Sequence, residues 1–460
     1  MSLTRELVER VSNMVYDDLT ELDLVAVRSL LLDNLGVAAN GSTTDSGRSM
    51  QRFAMAAGEG SAPIIGTNFT AEPLRAAMAN AVAAHSIEYD DVHNAASNHP
   101  GVAVIPAALA AAQIAGADAQ QFLLGVVVGY EVMCRVGRAV NPPAHYARHF
   151  HPTGTTGHFG AAAAAGSIFS LDSQEMISAL GIAGTMAAGS MEFLIDGAWT
   201  KRLHPAQAAR NGTEAALMAS HGFRGTDDAI GGVRAFLAGY SSDPRPKEIL
   251  ADWGERPLEV QNTSIKAHTC CRYKQGPIDA LLQIRSNHDL DPSDVESITI
   301  GLLSVAEDIV WEPVAAKRRP TTVVDAQFSM PYGAAVALRD GRASLAQYDG
   351  SLFDDPVVLD LMDATECVID TELDLSYPQQ WRSWAEVITK DGRRLRVGID
   401  DPKGDPTNPL TAQELRAKFD DITIPVFSSS RQDAVALAVR GLAESSTLTD
   451  LHSVLPSDVC

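Results

Sequence analysis

Two short segments of this chain concentrate side chains that exchange protons near neutral pH. Residues 145–160 read His-Tyr-Ala-Arg-His-Phe-His-Pro-Thr-Gly-Thr-Thr-Gly-His-Phe-Gly and carry four of the chain's twelve histidines, His145, His149, His151 and His158, beside Tyr146 and Arg148. Imidazoles titrate close to neutrality. Gly154, Gly157 and Gly160 would let a loop backbone come close to a small ligand. This pattern predicts a Gly-broken loop that opens an Ala-rich helix over 159–169. Proton transfer is the chemistry it would serve; a surface turn whose histidines are solvated or bonded to backbone carbonyls is the alternative.

The second segment, residues 85–101, reads His-Ser-Ile-Glu-Tyr-Asp-Asp-Val-His-Asn-Ala-Ala-Ser-Asn-His-Pro-Gly. Glu88, Asp90 and Asp91 precede His93 and His99, so a carboxylate can orient an imidazole and raise its basicity. An acidic loop that caps the following helix is the plainer reading. The segment lacks the His-x-x-x-His spacing that sets two metal ligands on one helix face. His145 and His149 have that spacing, but they follow Pro142-Pro143 in an expected loop, so no metal site is assigned.

Cations appear in two further places. Residues 199–205 set Lys201, Arg202 and His204 just before a helix expected to start near residue 208, where positive charge is unfavourable unless an anion is bound. Residues 262–273 add Lys266, His268, Arg272 and Tyr273 where the texture of the chain changes. Ordinary surface cations are the alternative for each.

Composition bounds what these groups can serve. With 36 basic and 58 acidic side chains, the net charge of −22 repels nucleic acids and anionic membrane surfaces. An anionic substrate would need a local basic island. The 460 residues are 45% apolar and only 6% aromatic, which predicts a core of close-packed helices meeting through small side chains. Residues 1–10 carry mixed charge and no apolar run follows, so a cytoplasmic location is expected. The apolar stretch 101–117 contains Pro and Gln and reads as a buried helix, with no membrane span. Cys134, Cys270, Cys271, Cys367 and Cys460 are odd in number and scattered, as for buried thiols in a reducing compartment.

Helical periodicity covers 3–14, 22–35, 73–85, 105–114, 119–140, 159–169 and 173–186. Asp118, and either Asp172 or Ser173, read as N-caps. From about residue 270 the pattern changes: 295–303 alternates like a strand, and 384–399 holds two strand-like runs joined by Asp391-Gly392. Helical stretches over 277–288 and 330–339 separate them, and helix returns over 411–419 and 431–444. The expected organisation is mainly α plus α+β, with a large helical domain from 1–268 and 401–460 and an inserted α+β domain at 269–400.

These motifs, taken in order, resemble the MmgE/PrpD family of 2-methylcitrate dehydratase, cis-aconitate decarboxylase and iminodisuccinate epimerase. The resemblance rests on Leu30-Leu-Leu-Asp-Asn-Leu-Gly-Val, Glu88-x-Asp-Asp followed by His99-Pro100, and His151-Pro-Thr-x-x-x-Gly-x-Phe-Gly-Ala. It continues through Lys201-x-x-His204 with Ala208-Ala-Arg-Asn-Gly, Lys266 before the Cys pair, and Asp325-Ala-Gln-Phe-Ser. It implies a homodimer, an active site in the cleft between the two domains, and catalysis with no metal or organic cofactor. By motif position it implies Glu88, His99, His151, Lys201 and Lys266 as active-site residues, with Asp90, Asp91, Tyr146, His204 and Tyr332 as further candidates.

Several positions depart from the family pattern. Glu88 and Val92 replace the more usual Asp and Thr, Arg202 follows the first lysine where Pro is common, Thr269 replaces a Pro, and Cys271 stands where cis-aconitate decarboxylase has a histidine. The resemblance thus implies a lyase acting on a small di- or tricarboxylate, with dehydration of a hydroxy-tricarboxylate such as 2-methylcitrate as the first expectation. Epimerisation, decarboxylation, or carboxylate binding without chemistry are the alternatives. In this scheme Lys201 and Lys266 bind carboxylates with help from Arg202, His204 or Arg272. His151 exchanges the carbon-bound proton, His99 is its counterpart oriented by Glu88 or Asp90, and Tyr146 protonates a leaving hydroxyl.

Overall fold

Capping chemistry sets where many of the helices begin. In this computed structural model, which describes residues 2–255, 257–445 and 447–459, the side chains of Thr20, Asp118 and Asp172 accept from backbone N–H groups of the first turn. Asp23, Gln121 and Glu175 reach back to each cap. The chain divides into two units, one of Met1–Ser86, Asp90–Thr263 and Thr411–Cys460, the other of Ile87–Tyr89 and Ser264–Leu410. The first is helical and the second α+β, as the sequence predicts.

The helix Pro152–Ile168 runs through the middle of the helical unit and is buried almost from end to end. It packs against Gly101–Ala115, Ala119–Ala139, Ser173–Met186 and Thr200–Ser220. A helix apolar on every side can only be an internal one. Small residues stand where these helices meet: a Cβ added to Gly160 would lie 2.5 Å from Met133 Cβ, and one on Gly157 2.9 Å from Ala208 Cβ.

This corrects the expectation for 145–160. Gly154, Gly157 and Gly160 lie inside the helix and serve close packing, not loop freedom. Each costs about 1 kcal/mol of helix propensity against Ala, a cost offset by the close approach of the neighbouring helices. Near the chain's other end, Ala412–Thr423 lies along Glu21–Gly41, with Lys418 Nζ 2.6 Å from Asp33 Oδ1 in a buried pair. Both ends of the chain therefore build the helical unit.

The second unit is built on a four-stranded sheet in the order Thr365–Ile369, Val295–Leu302, Ser383–Thr389, Arg394–Ile399. The first pair is parallel and the other two are antiparallel. Asp391-Gly392 forms the expected hairpin turn, with Gly392 at φ 86°. The helices Gln275–His288 and Met330–Asp340 supply much of its core, Ile278, Leu281 and Ile284 joining Ile298, Ile300, Ala385 and Val387.

Ile87–Tyr89 belongs to this unit because its polar groups are satisfied there. Gln327 Nε2 donates to the Ile87 carbonyl (3.0 Å), Tyr89 Oη donates to the Ala267 carbonyl (2.9 Å), and Lys266 Nζ donates to the Glu88 carbonyl (3.1 Å). The Asp325-Ala-Gln motif thus has a structural purpose through its Gln. Cys134, Cys270, Cys271 and Cys367 are buried thiols, and Cys460 lies outside the described residues. Among the described residues no helix is long and apolar enough to cross a membrane.

Candidate active site

His85 ends the helix Pro73–Ala84 as its C-cap, and the chain comes back to it with Asp90 and then His99. Asp90 Oδ2 accepts from His85 Nδ1 at 2.9 Å and lies 3.0 Å from His99 Nδ1. His99 Nδ1 is also 2.7 Å from the Asp91 carbonyl oxygen. A carbonyl cannot donate, so His99 carries a proton on Nδ1. One buried carboxylate oxygen therefore serves two imidazoles.

The neighbouring carboxylate has a different task. Asp91 accepts from the Gly101 amide at 3.0 and 3.1 Å and from Tyr130 Oη at 2.6 Å, which ties down the start of the Gly101–Ala115 helix just after His99. Burial pushes its carboxyl up to about 7, against the opposing pull of the Tyr130 hydrogen bond. Asp90 holds the imidazoles, and Asp91 holds the backbone that carries one of them.

His151 is the N-cap residue of Pro152–Ile168, and its amide donates to the Gly189 carbonyl at 2.8 Å. His204 comes from the second turn of Thr200–Ser220, so Lys201, Arg202 and His204 lie within that helix, whose start precedes the expected one by about two turns. The two helices approach closely at this point: a Cβ on Gly154 would sit 3.0 Å from His204 Cβ. The two imidazoles consequently face each other, Nδ1 to Nδ1, at 3.1 Å.

The His151 ring lies at centroid distances of 5.3 Å from His204, 6.1 Å from His85 and 6.5 Å from His99. Phe193 stands edge-on to both His151 and His204. Burial holds the His151 imidazole well below its usual range, and repulsion from His204 and Lys201 adds to this. His204 is lowered to about 4, again chiefly by burial, with His85 and Lys201 contributing. The site thus sets a carboxylate-bound imidazole pair beside a neutral pair within the field of an ammonium.

His85, Asp90 and His99 have the residue types of a metal triad, with candidate ligand atoms within 4.8 Å of one another. The Asp91 carbonyl, however, requires a proton on His99 Nδ1, where a metal bound through that nitrogen would need a lone pair. A hydrogen-bonded relay accounts for all three contacts.

The remaining candidates occupy separate surroundings. In the second unit, Lys266 lies 3.6 Å from Glu88 Oε2 and both are buried, with Glu88 in the left-handed region at φ 54°. Arg272 grips both oxygens of Asp405 at 2.6 and 2.7 Å, and Tyr332 Oη donates to the Gln347 carbonyl. In the helical unit, Arg202 donates to Ser46 Oγ, and Tyr146 Oη pairs with Ser97 Oγ at 3.0 Å. His145 spans the Tyr240 carbonyl and Thr155 Oγ1, His158 bonds the Gly154 carbonyl, and His93 bonds Glu259. His149 is exposed. Of the four histidines in 145–160, only His151 joins the imidazole cluster.

The family models for the MmgE/PrpD N-terminal and C-terminal domains match residues 5–249 and 268–444. The chain belongs to the MmgE/PrpD family. Among its curated relatives, the cis-aconitate decarboxylase-like protein oryM of Aspergillus oryzae is 28% identical, covering 100% of this chain and 98% of the relative. The cis-aconitate decarboxylases of Aspergillus terreus and Homo sapiens are each 26% identical, over 98% and 91% of this chain and 95% and 87% of their own lengths. In this MmgE/PrpD member the family's motif residues fall in two groups: His99, His151 and Lys201 in the helical unit, Glu88 and Lys266 in the second. His85 escapes motif reading because only the fold shows that it shares Asp90 with His99. Its spacing of five from Asp90 was the available signal.

Proposed function

We propose that this protein is a lyase that acts on a small polycarboxylate through a carbanion stabilised by the adjacent carboxylate. The observation that carries this reading is the pairing of His99, braced by Asp90, with the neutral His151 beside Lys201. Loss of carbon dioxide and loss of an α-proton both leave negative charge next to a carboxylate, and preorganised cations in a dry site are the strongest stabilisers of such charge. Lys201 takes that role.

His151, kept neutral by burial, is suited to exchange the carbon-bound proton. His99 is its counterpart, oriented through Nδ1 by Asp90. The relatives' names support decarboxylation of a cis-aconitate-like acid as the first reaction to assay. Dehydration of a hydroxy-tricarboxylate such as 2-methylcitrate is the second, supported by Tyr146, whose hydroxyl lies against the Ser97 loop just before His99. The family resemblance also supports a cytoplasmic homodimer, for which light scattering should return the mass of two chains.

The test is incubation with cis-aconitate, and separately with 2-methylcitrate, in deuterated water, followed by NMR. Carbon dioxide loss with deuterium entering at the reacting carbon, or alkene formation, is expected. His151→Ala should lower turnover by roughly 10²–10⁴-fold with a smaller effect on KM. Retention of wild-type turnover by that variant would remove His151 from the mechanism.

A further inference from the structure

The histidines of the helical unit differ in what their Nδ1 atoms meet. His145 Nδ1 faces the Tyr240 carbonyl, His158 Nδ1 the Gly154 carbonyl and His99 Nδ1 the Asp91 carbonyl. Each carbonyl requires a proton on that nitrogen and so locks the tautomer. His151 and His204 are different: their Nδ1 atoms face each other at 3.1 Å. Two lone pairs would repel at that distance and two N–H groups would collide. A single proton therefore lies between them, leaving one ring with a bare Nε2 and the other with an Nε2–H.

We propose that His151 and His204 form one proton relay, with His204 acting through His151 as its positioning and proton-carrying partner. This rests on the acid/base reading of the site given above. When His151 Nε2 takes a proton from substrate carbon, a C–H bond breaks and an N–H bond forms. The Nδ1 proton of His151 passes to His204 Nδ1, and His204 releases its Nε2 proton to water. The pair ends neutral with both tautomers inverted, and a solvent proton making the opposite passage restores them, the His151 Nε2 proton going to carbon in decarboxylation and, once the alkene has left, to water in dehydration. The same pair can thus remove a proton or supply one, as dehydration and decarboxylation respectively require. Phe193, edge-on to both rings, and the packing at Gly154 hold the facing geometry.

The discriminating variant is His204→Asn, whose amide can keep a hydrogen bond to His151 Nδ1 but cannot pass a proton on. With cis-aconitate as the probe, kcat should fall by roughly 10²-fold or more with KM and thermal stability unchanged. In ¹⁵N-histidine spectra of the wild-type protein, one ring of the pair should be the Nδ1–H tautomer and the other the Nε2–H tautomer. His204→Asn assigns the signals by removing one of them. Full activity in His204→Asn, or Nε2–H tautomers in both rings, overturns the relay. If His204→Asn is active while His151→Ala is dead, the relay alone fails; if His151→Ala is active too, the acid/base reading fails with it. The tautomer measurement needs no turnover and decides the matter even if cis-aconitate is not consumed.

Discussion

The segments 85–101 and 145–160 contain the same kinds of side chain, yet the fold gives their imidazoles different partners. In the first, a buried carboxylate is shared by His85 and His99. In the second no carboxylate is among the groups bonded to the buried rings. His145 and His158 are lowered to about 4, chiefly by burial, and His151 is depressed by burial and by its cationic neighbours. What decides whether a buried histidine can hold charge is the partner buried with it. The candidate site draws one ring from each environment, which is how groups of one type can be divided between acid and base work.

The largest expected effect comes from erasing that distinction. Asp90→Asn keeps a hydrogen-bond acceptor but removes the charge that both His85 and His99 rely on. Turnover should drop by roughly 10²–10³-fold, within the usual range for general acid/base assistance. Undiminished turnover in this variant would contradict the assigned contrast between the two segments.

Stability against pH tests the other half of the comparison. A histidine whose folded pKa of about 4 lies below its unfolded value near 6.5 binds fewer protons when folded, so its contribution is complete above pH 6.5 and is lost as pH falls towards 4. For His145 alone this amounts to about 2 kcal/mol by pH 5. Urea midpoints measured at pH 7 and pH 5 should show a smaller acid loss in His145→Gln than in the wild type. Equal losses would mean that His145 is not held neutral by the fold.

Much of the framework behind this comparison is legible in the residues. The caps at Asp118 and Asp172, the strand over Val295–Leu302 and the Asp391-Gly392 hairpin are local signals, and local signals survive folding. The strand Thr365–Ile369 is not legible, because it is five residues long and gains its identity from parallel pairing with a strand far earlier in the chain. His204-Pro205 reads as a boundary, since the residue before a proline avoids helical conformation. The structure nevertheless carries Pro205 inside Thr200–Ser220, and so moves Lys201 and His204 onto a rigid helix. The glycines of 154–160 suit a loop or a tight helix crossing equally well, and only the neighbouring helices decide. Histidine count pointed to 145–160 as the centre, whereas three of the four imidazoles in the cluster, His85, His99 and His204, come from elsewhere.

The packing that brings the two environments together should respond more modestly. In Gly160→Ala the added methyl would meet Met133 Cβ at 2.5 Å and the Gly129 carbonyl oxygen at 3.0 Å, the latter being backbone that cannot swing aside. Overpacking of this kind costs about 1–3 kcal/mol, against roughly 1 kcal/mol recovered in helix propensity. A net loss in thermal stability is expected, with reduced turnover as His151 shifts at the end of the same helix. A stabilised Gly160→Ala would show that the helices have room to spare.

The smallest effect is expected at Tyr146, and it separates the two candidate reactions. Its hydroxyl, partly exposed, bonds Ser97 Oγ and the Ser97 carbonyl, so Tyr146→Phe should cost about 0.5–1.5 kcal/mol of stability. Decarboxylation expels carbon dioxide and has no hydroxyl to protonate, so its rate should be essentially unchanged by the loss of the phenol. Dehydration must protonate a leaving hydroxyl, and a phenol acting as that acid would be worth roughly 10²-fold or more. Measuring Tyr146→Phe on cis-aconitate and on 2-methylcitrate therefore asks whether the loop before His99 supplies an acid of its own. Equal, small effects on both acids would leave His99 as the proton donor in either reaction.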